Sequence, residues 1–491
     1  METKSLNKNY PEAKEVLDIF AKLNNVPRPS WHEEKAADFL CDFAKELNLE
    51  YKRDEHNCVV IRKPATPGYE DAEPIALLNH MDMVCVAKDD VEFDPLTSPI
   101  KAYVDNGWMK ANGTSLGADN GIGLSMALAV LQSNTIQHPA LEVITTTNEE
   151  DGMTGAANLS HDFLKARKII NLDSEDYDTI TIGSAGAFLQ FTKLPFNRQS
   201  APSTDEYSYF TLKVCGGLGG HSGVDINKHR TNANKLMAEF LHEHYDGLGM
   251  VLASINGGEA NNSIASTCEA IVAVPATNAG TLADYAAKYN NSLTEKYAEY
   301  ENNLTFSAEQ KTAELPDSAI DAAASRSLIE ALYQMPYGPL VMSKTLEDTV
   351  ETSNNTGRLA TEDGYFFVSN YSRSFIDADV AALGKQIRDI FDKAGATTEL
   401  IMEAPAWQSN INSAFIAKTE GVFNDLLGFT PRKVAMHFAL EAGYFVRKYE
   451  GLEMVSIGPK IIEPHSVTER VSIETINNIW AVTKELLKRC K

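Results

Sequence analysis

The sequence has little cysteine, little basic charge and no long hydrophobic run. Its six cysteines include no Cys-x-x-Cys pair. So few in a chain of 491 residues do not make a disulfide framework, and we expect reduced, mostly buried thiols. No apolar run approaches the roughly 20 residues that cross a bilayer, so we predict no membrane partner.

The first residues also lack the pattern of a signal peptide. Residues 1–5 lead into an acidic amphipathic stretch, not into a basic region followed by an apolar block. The chain has 44 Lys and Arg against 68 Asp and Glu. A net charge of −24 repels phosphate backbones. We therefore expect a cytoplasmic protein with a solvated acidic surface and no nucleic-acid partner.

The order of elements predicts two domains, one inserted into the other. Strand-like runs alternate with amphipathic helices at first, and the pattern changes near residue 185. Apolar segments typical of a buried core return in about the last 90 residues. This order predicts an α/β fold. We expect a mostly parallel-sheet α/β domain from residues 1–186 and 401–491. An α+β domain at 187–400 would interrupt it.

Hydrophobic periodicity and start signals predict several helices. The clearest are a helix opened by Pro11 over residues 11–24, one after a capping box at Ser30–Glu33, and helices over 122–131, 284–304, 385–394 and 473–487.

Three apolar, strand-like runs each end on residues that bind divalent metals. They lead into His80-Met81-Asp82, Glu149-Glu150 and Asp173. Open α/β sheets bind ligands at the carboxyl ends of their strands, so these side chains could converge. Alternatively, His80 is a lone surface histidine and Glu149-Glu150 a solvated pair. A like-charged pair at the end of an apolar strand is costly without a cation or a proton, which favours a metal site.

Two further residues extend this candidate site. Asp119 stands in the Gly-rich turn Gly117–Gly123, which has neither the Lys of a phosphate loop nor a dinucleotide fingerprint. We interpret the turn as a helix N-cap that presents a carboxylate. A carboxylate that bridges two cations, with Asp173 and His465 completing the two sets, would form a two-metal hydrolase site. Asp82 is close enough to His80 to fix the imidazole tautomer.

The insertion carries two more candidates. His221 lies among glycines in Gly219–Gly223, which permits a close backbone approach to a ligand. Arg373 follows a strand and could form a fork with a substrate carboxylate. The alternatives are a histidine in a flexible loop and an ordinary ion pair.

Taken in order, the motifs resemble the co-catalytic zinc aminopeptidase and carboxypeptidase family, and within it the dipeptidases that cleave Xaa-His substrates. The resemblance covers nearly the whole chain. Its motifs are His80-x-Asp82, Gly117–Gly121, Glu149-Glu150, Asp173, Gly219–Gly223 and Pro464-His465. The resemblance implies that the parallel-sheet domain is a hydrolase-like catalytic domain and that the insertion at 187–400 is a lid that binds substrate.

The resemblance implies a role for each residue. One metal would be bound by His80, Asp119 and Asp173, and the other by Asp119, Glu150 and His465. Asp82 would orient His80, and Glu149 would be the general base. Of the remaining residues, the resemblance implies an oxyanion donor, a carboxylate partner and two further substrate contacts: His221, Arg373, Asn262 and Glu441.

The implied function is hydrolysis of Xaa-His and related dipeptides, including β-alanyl-histidine. The cofactors would be two divalent ions, zinc first, with manganese or cobalt able to use the same ligands. The resemblance implies a homodimer acting on small peptides. The chain departs from the family at Ala439, Ala442 and Ala265, where the usual residues are Gly, Cys and Pro. Alternatives are therefore a broad dipeptidase, a tripeptide aminopeptidase, an acyl-amino-acid deacylase, or a non-catalytic binding protein on the same scaffold.

Overall fold

The computed structural model describes residues 13–408 and 410–491. The predicted helix start at Pro11 and the segment 1–5 lie outside this part. The chain packs as two compact units. One comprises the described residues up to 183 together with 407–435 and 440–491, and the other comprises 184–406 and 436–439. The sequence placed the limits at 186/187 and 400/401, and did not predict that 436–439 would join the second unit.

The first unit contains seven of the helices that we number in chain order. They are α1 (Lys14–Leu23), α2 (Glu34–Glu46), α3 (Ala118–Gln132), α4 (Thr154–Asn158), α9 (Ala414–Leu427), α10 (Ala442–Lys448) and α11 (Ile473–Arg489). Its strands are β1 (Glu50–Arg53), β2 (Val59–Lys63), β3 (Ile75–His80), β4 (Ala102–Asp105), β5 (Trp108–Ala111), β6 (Leu141–Thr146), β7 (Lys168–Asn171), β8 (Thr179–Ser184), β20 (Arg432–Met436), β21 (Glu453–Ser456), β22 (Ile461–Ile462) and β23 (Arg470–Ser472).

The main sheet of this unit is parallel at its centre. Its eight strands follow the order β1-β2-β6-β3-β7-β21-β8-β20. The neighbours β6, β3, β7 and β21 run parallel, whereas β1 and β2 pair antiparallel at one edge. Strands β3 and β6 are buried at every position, as expected for parallel strands covered on both faces. The predicted α/β fold class is therefore confirmed.

The second unit is built on antiparallel strands. Its helices are α5 (Ala233–His244), α6 (Ala279–Lys296), α7 (Ala322–Gln334) and α8 (Asp377–Ala394). Its strands are β9 (Gly186–Pro195), β10 (Arg198–Ser200), β11 (Tyr207–Cys215), β12 (Val251–Gly257), β13 (Cys268–Pro275), β14 (Thr305–Lys311), β15 (Ser318–Ile320), β16 (Gly338–Met342), β17 (Val350–Thr361), β18 (Tyr365–Ser374) and β19 (Thr397–Ala404).

Helices cover one face of a nine-stranded sheet in this second unit. The main path is β14-β11-β13-β12-β17-β18-β9-β19, and β16 also pairs with β17. Side chains from the helices, such as Leu241, Leu328 and Phe391, share one core with strand residues such as Leu212 and Val368. This is the α+β arrangement predicted for the insertion. Among the described residues, no helix combines the length and apolarity needed to cross a membrane.

Two local predictions were wrong. Helix α6 ends at Lys296, not at Leu304, and Tyr297 is its C-cap. Ser30 does not cap α2, since its hydroxyl donates to Asp82 Oδ2 at 2.8 Å, a tertiary partner that local sequence does not reveal. The Gly-rich turn does supply the N-cap of α3, at Gly117, and the backbone of Asp119 and Asn120 is not helical.

Candidate active site

The parallel strands bring the predicted metal ligands to one edge of the sheet. His80 is the last residue of β3, and Glu150 and Asp173 lie just beyond β6 and β7. Because β3 pairs in parallel with both β6 and β7, the three strands end on the same side. Asp119 comes from the first turn of α3, and His465 from the segment after β22.

The side chains form two groups that share one carboxylate. His80 Nε2 lies 3.2 Å from Asp119 Oδ1 and 3.4 Å from Asp173 Oδ1. On the other side, His465 Nε2 lies 3.2 Å from Asp119 Oδ2 and 2.9 Å from Glu150 Oε2. Within each group the potential ligand atoms lie within 4.8 Å of one another. Asp119 thus turns one oxygen toward each group, the geometry of a bridging ligand.

The donor set fits divalent cations. Each group combines one imidazole with two carboxylates, a mixture that zinc, manganese and cobalt accept. Desolvation by burial raises the pKa of Asp173 and of Glu150, and neighbouring carboxylates raise both further. Both effects disfavour the charged form. The buried Glu150 Oε1 has no hydrogen-bond partner in the described residues. A cation would relieve each of these costs.

His465 approaches the site from an unusual backbone conformation. Its φ of +59° lies in the left-handed region, which residues other than glycine rarely adopt. Asp119 and Glu150, which both accept hydrogen bonds from its imidazole, raise the pKa of His465 to about 11 in the metal-free protein. Its side chain is 46% exposed, so this end of the site opens to solvent.

Asp82 organises the residues around His80. Its carboxylate Oδ1 is 3.4 Å from His80 Nδ1 and accepts the backbone N–H of Glu149 at 3.1 Å. Its Oδ2 accepts the N–H of Glu150 at 3.2 Å and the Ser30 hydroxyl. With the proton held on Nδ1, the Nε2 lone pair faces the first ligand group.

Glu149 belongs to neither ligand group. Burial raises its pKa well above the usual value, and the negative charges of Asp173 and Glu441 add to the rise. A carboxyl group that lies beside the ligand groups and outside both is where the predicted general base is needed.

Sequence reasoning missed two buried residues that hold the loops of the site. The Glu469 carboxylate accepts the backbone N–H groups of Leu116, Gly117 and Ala118 at 2.7, 2.9 and 2.8 Å. The Arg28 guanidinium donates to the carbonyls of Asp82 at 3.0 Å and Gly117 at 2.6 Å. No local pattern points to either residue, since Glu469 lies 353 residues from Leu116 in the chain.

Glu441 lies in the first unit, beneath the strand ends. Its Oε2 accepts the Thr146 hydroxyl at 2.6 Å, while Oε1 is buried without a partner in the described residues. Burial raises its pKa to about 7. The residue is only 1% exposed, about as buried as Arg373, and its contact with the substrate stays a prediction.

His221, in the second unit, is held as a neutral imidazole. Its Nδ1 accepts the backbone N–H groups of Gly223 at 3.2 Å and Val224 at 3.1 Å. Burial lowers its pKa, and the charge of Arg373 lowers it further. With Nδ1 accepting, the proton resides on Nε2, which makes that nitrogen a hydrogen-bond donor.

Arg373 is a buried cation without an acidic partner among the described residues. It is 2% exposed, its guanidinium lies 4.0 Å from the centre of the Tyr371 ring, and its Nη2 is 3.4 Å from Ser222 Oγ. Burial lowers the pKa of Arg373 to about 10. Asn262 is near, because its carbonyl accepts the Ser222 N–H at 2.8 Å. The three residues predicted in the insertion therefore surround Ser222.

An open α/β sheet with two candidate ligand groups that share a carboxylate at its strand ends is the arrangement expected of a metal-dependent hydrolase. A family model described as peptidase family M20/M25/M40 matches residues 76–489. The chain belongs to this family.

Individual relatives agree with that assignment. The cytosol non-specific dipeptidase of Escherichia coli (strain K12) is 37% identical over 96% of this chain and 97% of its own length. The crystal structure of aminoacylhistidine dipeptidase from Vibrio alginolyticus superposes with a TM-score of 0.92, at 34% identity over 97% of this chain and 96% of that one. Aminopeptidase PepT from Bacillus cereus shares the fold, at a TM-score of 0.61 and 16% identity over 97% of this chain and 98% of that one. The chain is thus a metal-dependent dipeptidase, and the resemblance stated from the sequence is confirmed.

Proposed function

We propose that this chain uses two divalent ions, zinc first, to hydrolyse Xaa-His and related dipeptides, including β-alanyl-histidine. The observation that carries the proposal is the pair of ligand groups around Asp119, with Glu149 beside them and in neither. Manganese or cobalt would be accommodated by the same donors.

The names of the relatives support the substrate class. The Escherichia coli relative is named a non-specific dipeptidase, and the Vibrio alginolyticus one an aminoacylhistidine dipeptidase. We propose a specificity between these two, in which C-terminal histidine is favoured but not required. The departures at Ala439, Ala442 and Ala265 agree with such a relaxed preference. We also propose that the protein is cytoplasmic, as the name of the first relative says of that enzyme, and that it is a homodimer.

In the proposed reaction, Glu149 moves the proton. Two bound cations would supply Lewis acidity, which makes the attacking water more acidic and polarises the scissile carbonyl. The Glu149 carboxylate takes a proton from that water while the water oxygen forms a bond to the carbonyl carbon. The same proton then passes to the amide nitrogen as the C–N bond breaks. The products are a free amino acid and a second amino acid that carries the new carboxylate.

Residues of the second unit would act on the substrate. His221 Nε2–H would donate to the oxygen on which negative charge develops, and its neutral, fixed tautomer supports this role. Arg373 would bind the α-carboxylate of the dipeptide through its planar fork. What supports this is its burial without an acidic partner in the described residues. Asn262 would contact the peptide nearby.

The runner-up is the same chemistry on other amides, namely tripeptides or acyl amino acids. Recognition of a free α-carboxylate by Arg373 does not by itself set the length of the substrate. A non-catalytic binding protein is disfavoured, because every predicted ligand and the candidate base are present in the sequence.

A substrate panel on metal-reconstituted enzyme tests the proposal. The protein is stripped with a chelator, loaded separately with zinc, manganese and cobalt, and assayed on β-alanyl-histidine, Ala-His, Ala-Leu, a tripeptide and an acyl amino acid. We expect no activity without metal and the highest kcat/KM on Xaa-His dipeptides. Faster cleavage of the tripeptide or the acyl amino acid would favour the runner-up.

A further inference from the structure

A pocket of about 470 Å³ lies entirely within the second unit, beside the proposed carboxylate-binding residue. Its lining includes Leu189, Tyr371, Asn262, Glu259 and Arg358. Leu189 and Tyr371 face each other across β9 and β18, so they form a sheet-based apolar floor. Glu259 and Arg358 bring opposite charges to the polar wall.

The loop that carries Glu259 is held close to β17. A Cβ on Gly258 would stand 1.8 Å from the Gly357 carbonyl oxygen, and one on Gly357 would stand 2.3 Å from the Asn261 carbonyl oxygen. The approach is possible because both residues are glycines and have no Cβ. Gly258 also has a φ of +69°. The wall of the pocket is therefore set by backbone packing, not by a free loop.

The pocket adjoins Arg373 through a shared ring. Tyr371 lines the pocket, and the Arg373 guanidinium lies 4.0 Å from the centre of the same ring. The α-carboxylate and the side chain of an amino acid are attached to one carbon. A C-terminal residue whose carboxylate is bound by Arg373 would therefore place its side chain within a few bonds of this pocket.

The two charged residues of the pocket wall differ in whether they have partners among the described residues. Arg358 pairs with Glu362 at 2.8 Å and lies over the Phe367 ring at 5.0 Å. Glu259 is exposed, and within the described residues its carboxylate makes no hydrogen bond or ion pair. It can accept a hydrogen bond from a ligand without first breaking one.

We propose that this pocket receives the side chain of the C-terminal residue of the dipeptide, and that Glu259 sets the preference for histidine by accepting its ring N–H. The inference rests on the proposed function and names the residue that tunes its specificity. A neutral imidazole donates one hydrogen bond to the carboxylate, and an imidazolium adds an ion pair. An aliphatic side chain offers neither and would contact only Leu189 and Tyr371.

The test compares Ala-His with Ala-Leu in wild type and in Glu259→Gln. In the variant we expect kcat/KM for Ala-His to fall about tenfold, through a higher KM, because one hydrogen bond to a charged group is lost. The kcat/KM for Ala-Leu should stay within about twofold of wild type. Glu259→Asp should restore part of the preference, and Glu259→Lys should favour Ala-Glu. Glu309→Gln, an exposed glutamate on β14 outside the pocket, is the matched control and should change neither substrate.

Equal losses on both dipeptides, or none on Ala-His, would overturn the assignment of Glu259 while leaving the dipeptidase proposal intact. Failure of the wild type to cleave either dipeptide would instead overturn the proposed function. Calorimetric binding of L-histidine, the expected product, to the metal-loaded protein gives a readout without turnover. Its Kd should rise about tenfold in Glu259→Gln, and an unchanged Kd would also overturn the assignment.

Discussion

The carboxylate of Asp82 accepts the backbone N–H of Glu149 at 3.1 Å. This hydrogen bond ties the end of β3, which carries His80, to the segment after β6, which carries the proposed base. Because the same carboxylate also faces His80 Nδ1, one side chain fixes both the orientation of a proposed metal ligand and the position of the base.

Asp82→Asn should therefore impair both functions without unfolding the protein. The amide NH2 cannot accept a hydrogen bond, so the variant loses either the contact of Oδ1 with the Glu149 N–H or the contacts of Oδ2 with Ser30 and Glu150. We expect a loss of about 10- to 100-fold in metal affinity or activity, the range for residues that orient metal ligands. Competition with a chromophoric chelator and kcat would measure it, and an unchanged far-UV spectrum would serve as the folding control. Wild-type affinity and kcat would contradict the role.

Glu149→Gln should separate catalysis from metal binding. Gln cannot take a proton from water, so kcat should fall by about 10²- to 10⁴-fold. Metal content by elemental analysis should stay near wild type, because Glu149 belongs to neither ligand group. Glu150→Gln is the matched control and should lose metal. If the Glu149 variant loses metal and the Glu150 variant keeps it, the two roles are exchanged.

His221→Ala should lower kcat by about 10²- to 10³-fold with little effect on metal content, as for the loss of one oxyanion donor. His221→Gln retains an N–H donor and should recover part of the rate. Burial keeps the pKa of His221 below its ordinary value, so the residue should remain neutral and active across the neutral pH range. An unchanged kcat in the Ala variant would remove the residue from the mechanism.

Arg373→Ala should weaken cleavage of free dipeptides by about 30-fold or more, since a buried charge pair with the substrate carboxylate would be lost. C-terminally amidated dipeptides, which lack that charge, should be affected far less. Arg373→Lys keeps the charge without the fork and should recover only part of the loss. Equal losses on free and amidated substrates would exclude the carboxylate assignment.

Glu441→Gln should change how stability depends on pH. Burial raises the pKa of Glu441 from 4.5 to about 7. Between these values the folded protein keeps a proton that the unfolded chain has released. Stability is thus full below pH 4.5 and is lost as pH rises through 7. The metal-free variant should be more stable than metal-free wild type at pH 8, by on the order of 3 kcal/mol, and nearly equal at pH 5. Urea midpoints at both pH values measure this, and an equal difference at both would contradict it.

Much of the site could be predicted because several of its residues follow buried strands that are neighbours in the sheet. The apolar runs before His80, Glu149 and Asp173 indicate strands, and parallel strands end on one side. The sequence thus determined the fold class, the edge of the sheet at which chemistry occurs and the residue types present there. The family resemblance added the division of roles.

Only the tertiary structure decided how these residues are held. Glu469 binds the loop before Asp119, Arg28 ties two loops together, and Ser30 serves Asp82 instead of capping a helix. It also buried Glu441 against Thr146 and placed Glu259 in the lining of a pocket. These contacts join residues far apart in the chain, and local periodicity has no information on them. The sequence supplied the ligands, and the packing of distant segments sets the distances between them.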